Sequence, residues 1–224
     1  MKARTQKVLT VLRAVGEMLN IEVAAHTGTA YGMTRHRLKR AADKMAALAA
    51  IQRDTAQALT SLAPQLRALR AELRVDHMRP IVAIAKRCLA DDAGLSFLKV
   101  PPRRATTMEL IMAARVMAQA VPPHSLMFVK MGLPVDFTEQ LRHAATRLEY
   151  VHSARQRHRA TRMSASAGLI AMERECRGLI RIVDALVRPQ IRHNATVLGR
   201  WAMTVRVSTC ERVPRNCRRI GPGA

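Results

Sequence analysis

The sequence predicts an all-α protein: an antiparallel helical bundle with two long helices, about 34–74 and 136–187, and several shorter ones. Three observations carry this expectation. The apolar residues are mostly Ala, Leu, Val, Ile and Met, and aromatics make up only 3% of the chain. Ala, Leu, Met and Arg are strong helix formers, whereas strands draw on β-branched and aromatic residues. Apolar residues also recur at intervals of three and four along most of the chain, the spacing that lines one face of a helix. Finally, the turns between these periodic stretches carry helix-capping chemistry and proline stops.

Taken in order, residues 3–25 read as an amphipathic helix through Val8, Leu12, Val15, Leu19 and Val23, with "HTGTAYG" at 26–32 as its break. The first long helix follows. Its apolar seam is Leu38, Met45, Leu48, Leu59, Leu62, Leu66, Leu69 and Leu73. Pro64 lies inside that seam, and the seam keeps phase across it, so the expectation is a kink near 60–64 rather than two helices. Asp76 is placed to cap a helix over 77–90, and "DDAGLSFLKVPP" at 91–102 reads as a loop. Thr106 and Glu109 form a T-x-x-E capping box at the head of a helix carrying Leu110, Ile111, Ala114, Met117 and Val121. Pro122 and Pro123 stop it. "SLMFVKM" is a short helical turn before Gly132 and Pro134. Asp136 with Glu139 is a second capping box, opening the other long helix, which Pro189 is expected to end. Its seam is Leu141, Leu148, Val151, Leu169, Cys176, Leu179, Val183 and Leu186. A last helix is expected over 190–204. The domain expectation is one helical bundle over 1–205 and a basic, disordered tail over 206–224, which lacks periodicity.

The middle of each long helix departs from its seam. In "SARQRHRATRMSASAG", residues 153–168, the seam positions are Arg155, His158 and Arg162, with Arg157 and Arg159 beside them and no acid. On the other helix the corresponding centre reads "QRDT", with Gln52 and Thr55 on the seam. One expectation is a buried polar layer that sets register, with Asp54 paired to Arg155, Arg159 or Arg162. The other is an exposed basic surface for a nucleic-acid backbone, carried by Arg155, Arg157, Arg159 and Arg162. The small residues of "SASAG" read as a packing surface in either case.

The 224 residues carry 38 Lys+Arg against 16 Asp+Glu, a formal net charge of +22. A field of that sign attracts polyanions. Of the basic residues 31 are Arg and 7 are Lys, a skew that genomic codon bias also produces. The recognisable nucleic-acid signatures are missing: no helix-turn-helix spacing, no RNP-type motif, and too few aromatics for a stacking platform. The tail from 188 onward holds eight Arg and one acid, Glu211.

The catalytic and cofactor motifs are fragmentary. Glu149-x-x-His152 matches half of a ferritin-like di-iron site, but no second E-x-x-H exists, so neither a metal nor another cofactor is expected. The eight histidines form neither H-x3-H nor HExxH, and no G-x-S-x-G, Walker loop or GxGxxG occurs. Cys88, Cys176, Cys210 and Cys217 have no zinc-ribbon or CxxC spacing, which favours a reducing, cytoplasmic setting. No window of 18 apolar residues is present, so no membrane span is expected, and the basic N-terminus lacks the core of a signal peptide.

The segments "HMRPIVAIAK" (77–86), "MGLPVDFTEQLRHAA" (131–145) and "SAGLIAMERECRGLIRIVDALVRPQI" (166–191) resemble a family of uncharacterised bacterial helical proteins. The resemblance spans roughly residues 30–200 in a diffuse pattern and departs after Trp201. It implies a bacterial, all-helical domain and carries over no functional residues. The functional expectation is therefore a soluble, non-enzymatic structural or interaction module, acting through a protein partner or self-association in the manner of a coiled coil. No small-molecule substrate is identified. The alternative is a nucleic-acid-binding protein without sequence preference, and a bundle metalloprotein is a distant third.

Overall fold

The structure is a computed structural model that describes residues 3–21, 29–88 and 98–209. The described residues form an all-α helical bundle with no strand. In chain order the elements are α1 (Ala3–Ile21), α2 (Thr29–Glu72), a π-helical turn (Leu73–Met78), α3 (Arg79–Cys88), α4 (Thr107–Ala120), a 3-10 turn (Pro122–His124), α5 (Ser125–Lys130), α6 (Phe137–Ile191) and α7 (Ala195–Thr209). No helix among the described residues is long and apolar enough to cross a membrane.

Several boundaries differ from the sequence expectation for identifiable reasons. α2 begins at Thr29, inside the stretch expected to break the first helix. It continues through Pro64 as a single helix. Asp76 caps nothing. It sits within the π-helical turn, and the chain passes from α2 into α3 without leaving helical geometry. Pro80 supplies the reason: it has no N–H for the carbonyl of Asp76 and its ring crowds that carbonyl. The turn widens, so that the Arg79 N–H donates to the carbonyl of Arg74, five residues back. α6 carries Pro189 in its last turn and ends at Ile191. The final helix starts later than expected, because Asn194 caps it by accepting the Val197 N–H at 3.2 Å. It runs on to Thr209, past the start of the expected tail; residues 210–224, with Cys210 and Cys217, lie outside the described residues.

The Thr106–Glu109 capping box forms as read, whereas the expected Asp136–Glu139 box does not form among the described residues. The Thr106 hydroxyl accepts from the Glu109 N–H at 3.2 Å and the Glu109 carboxylate accepts from the Thr106 N–H at 2.7 Å. Gly132, at φ +100°, closes α5. Its N–H donates to Val129 and the next N–H, on Leu133, donates to Phe128. This paired closure needs a left-handed residue, which glycine adopts without a Cβ penalty. At the start of α6 the Asp136 carboxylate accepts from the Gln140 side chain at 2.9 Å.

Two compact units divide the chain. The first comprises residues 1–53 and 162–224, the second residues 54–161. The first is built on Leu12, Val15, Met45, Cys176, Ile180, Val183, Val187 and Trp201, which are all almost fully buried. Here α2 and α6 run antiparallel: Gly168 lies against Leu48, and Gln52 donates to the Ser166 hydroxyl at 2.9 Å. The "SASAG" segment packs as expected, with Ala165 buried. Val187 takes the core position that the seam assigned to Leu186, which is 40% exposed. The second unit is built on Leu73, Met78, Ile81, Leu110, Ile111, Met117, Phe128, Leu141 and Leu148. On α6 no residue from 149 to 164 is buried, and on α2 the buried residue between Ala49 and Leu66 is Thr55. The polar middles of the two long helices thus mark where one apolar core stops along the chain and the other begins.

Candidate anion-binding cleft

The second unit gathers arginines from three places in the chain. On α2 and the π-helical turn, Arg67, Arg70 and Arg74 recur at three and four residues, beside the buried Leu66, Leu69 and Leu73. That spacing places them along one flank of the seam. Between α3 and α4, "PPRRAT" forms a tight turn in which the Ala105 N–H donates to the Pro102 carbonyl at 3.0 Å. Arg103 and Arg104 occupy the two central positions and are exposed. Arg155 comes from α6.

The turn is held by the helix arginines. Arg70 donates to the Thr107 hydroxyl at 3.0 Å and to the Ala105 carbonyl at 2.6 Å. Arg74, 8% exposed, donates to the Pro102 carbonyl at 3.1 Å. These acceptors are neutral. They fix the guanidinium groups and leave their charge in place. Burial, and then the nearby charges of Arg70, Arg79 and Arg103, hold the Arg74 guanidinium below its ordinary pKa.

The result is a cleft of about 550 Å³ lined by Arg67, Arg70, Arg103, Arg104 and Arg155, with Thr106 at its edge. Among the described residues no carboxylate and no aromatic ring lines it. The Arg155 Nε is buried and has no hydrogen-bond partner among the described residues. A buried donor left unpaired is costly, so such groups mark places where water or a ligand completes the bonding.

Of the four arginines singled out in the sequence, Arg155 alone lines this cleft. Arg157, Arg159 and Arg162 are exposed, and His158 is half-buried. Asp54 is also exposed and forms no ion pair among the described residues, so the expected pairing of Asp54 within a buried polar layer is not what forms. The polar contact in the first unit is between Gln52 and Ser166, with Ser166 in turn donating to the Arg162 carbonyl at 2.8 Å. Arg67, Arg70, Arg74, Arg103 and Arg104 did not stand out in the sequence. Their signal lay in the 67–70–74 spacing and in the "RR" of a proline-led turn, but the contact that unites them spans 35 and more residues of sequence.

The carboxylates nearby are engaged elsewhere. Glu72 pairs with Arg147 at 3.0 Å, and Glu149, from the E-x-x-H motif, pairs with Arg115. The His152 Nδ1 is buried without a partner among the described residues. Among the described residues no group of three His, Cys, Asp or Glu side chains is placed to hold a metal.

No protein-family profile matches the chain, and neither a curated protein nor a solved structure matches it.

Proposed function

We propose that this chain is a non-enzymatic helical module that binds a phosphate-bearing polyanion in the arginine cleft of its second unit. The carrying observation is the convergence of five arginines on one cleft that no carboxylate among the described residues lines, one of them with a buried Nε that has no partner among those residues. Guanidinium groups present paired N–H donors that match phosphate oxygens, and Arg70, anchored on the Ala105 carbonyl, is pre-positioned for them. The net charge of +22 supports encounter with such a ligand from a distance. Fluorescence anisotropy with a labelled single-stranded oligonucleotide tests the reading. Binding should weaken as salt rises, and Arg103→Gln with Arg104→Gln should lower the log–log slope by about 0.7 for each phosphate no longer neutralised. A slope unchanged by that pair removes the cleft from the interaction.

A second reading, a protein-interaction or self-association module, is favoured by one observation. Met108, Met112 and Val116 recur every four residues on α4 and are 43%, 51% and 41% exposed. Flexible Met side chains suit such surfaces. Light scattering of the full chain against Met112→Lys reads it out: a mass that falls in the variant supports self-association through α4.

A further inference from the structure

The composition of the cleft narrows the ligand further, and this step rests on the polyanion reading above. We infer that the cleft recognises an oligophosphate, a run of phosphate groups joined through shared oxygens, by its phosphate oxygens alone.

Density of charge is the first reason. Five arginines share about 550 Å³, a volume typical of small-molecule sites. In a nucleic-acid strand a sugar separates each phosphate from the next. In a phosphoanhydride chain adjacent phosphorus atoms share one oxygen, so several charges fall within a single small cleft. The lining is the second reason. Proteins hold single-stranded nucleic acid by stacking bases on aromatic rings, and no ring among the described residues lines this cleft. The apolar lining residues are Ala63, Leu66 and Ala105, which offer no base a flat partner or a directional hydrogen bond from a side chain. Among the described residues every polar side chain in the lining is a guanidinium or the Thr106 hydroxyl, which already accepts from Glu109.

The arrangement also separates roles. Arg70 is tied to the Ala105 carbonyl and the Thr107 hydroxyl and gives the cleft a fixed wall. Arg67, Arg103 and Arg104 are exposed and free to close over a ligand. Arg155 brings the unpartnered Nε. Arg74, buried among like charges and bonded to the Pro102 carbonyl, is not among the lining residues and adds field rather than contact.

The test is isothermal titration of the full chain at physiological salt with sodium tripolyphosphate, orthophosphate, ATP and a dT oligonucleotide, without divalent metal. Tripolyphosphate should bind one per chain and at least about tenfold more tightly than orthophosphate. Arg155→Gln should weaken it about tenfold or more. Since Arg155 is half-buried, the doubly exposed pair Arg103→Gln and Arg104→Gln provides a second variant with no fold to lose. Arg157→Gln, Arg159→Gln and Arg162→Gln together should leave it unchanged. ATP bound more tightly than tripolyphosphate makes a nucleotide the source of the phosphates; ATP bound equally or less tightly makes a free phosphate chain the source. Tripolyphosphate no tighter than orthophosphate, or indifferent to both cleft variants, overturns the inference. If the oligonucleotide then still binds through Arg155, the broader polyanion reading survives it. If neither ligand binds, both fall.

Discussion

The two compact units differ in what some of their arginines meet. In the first, guanidinium groups meet carboxylates on their own helix. Arg177 bonds Glu173 at 2.7 Å and Arg188 bonds Asp184 at 3.2 Å, each four residues apart. Asp184 also accepts from the buried indole of Trp201 at 2.9 Å, so one acid serves both charge and core. In the second unit Arg115 and Arg147 pair with Glu149 and Glu72 on other helices, but Arg70, Arg74 and Arg142 donate to carbonyls and a hydroxyl. A carboxylate partner fixes an arginine and cancels it. A carbonyl partner fixes it and leaves a positive field, which is the condition for a binding site. Arginine density in sequence therefore says less than the identity of the acceptor.

The largest expected effect lies in the first unit. Trp201 is 1% exposed and Asp184 anchors its indole nitrogen. Trp201→Ala should cost about 3–5 kcal/mol in urea unfolding followed by circular dichroism. It should leave phosphate binding by whatever folded protein remains unchanged, because no cleft residue belongs to that unit. A stable variant without phosphate binding would break the separation of roles.

Cys176, in the same core, gives a pH test. Burial, and then the charge of Glu175, push its thiol up to about 11 from 9.0. A thiol raised in the folded state contributes its stability fully below its unfolded pKa, and that contribution is lost as pH rises through the folded value. Between pH 9 and 11 the wild type should lose on the order of 1–2 kcal/mol more than Cys176→Ala. Parallel curves for the two proteins would show that the thiol does not sense the core.

The third test turns to the second unit. Arg74→Met replaces a buried guanidinium by an apolar chain of similar length. The Pro102 carbonyl keeps the Ala105 N–H, so no acceptor is abandoned. Stability should hold within about 1 kcal/mol or rise, as often happens when buried charge is replaced by apolar volume. Oligophosphate affinity should fall severalfold as the field weakens. A large drop in stability with unchanged affinity would make Arg74 a structural clamp and nothing more.

Local signals were well encoded in the sequence and convergent ones were not. The seams named Leu38, Met45, Leu66, Leu73, Leu141, Leu148, Leu169 and Val183 as core, because burial on one helix face follows from spacing of three and four. The Thr106–Glu109 box was equally legible, since both partners lie within one turn. Asp76 misled because its capping reading took no account of the Pro80 ring four residues on. The cleft was illegible for a different reason. Arg70 and Ala105 come together only through tertiary packing, and nothing in "PPRRAT" says which helix its carbonyls will meet. The conspicuous cluster at 155–162 drew attention by density, yet one of its four arginines reaches the site.

The smallest expected effect concerns the other three. Arg157, Arg159 and Arg162 are exposed, and Arg159 and Arg162 stand three residues apart on α6. Such like-charge neighbours cost about 0.2–0.5 kcal/mol per pair on a helix. Arg155 and Arg159 form a second pair at four residues. Changing Arg157, Arg159 and Arg162 to Gln should therefore raise stability slightly, by less than about 1 kcal/mol, or leave it unaltered. The same variant should keep the salt slope of oligonucleotide binding, since none of these three side chains lines the cleft. A lowered slope would mean that these side chains meet phosphates after all. The cleft would then not be the whole binding surface: on this chain a dense row of exposed arginines on α6 would meet phosphates outside it.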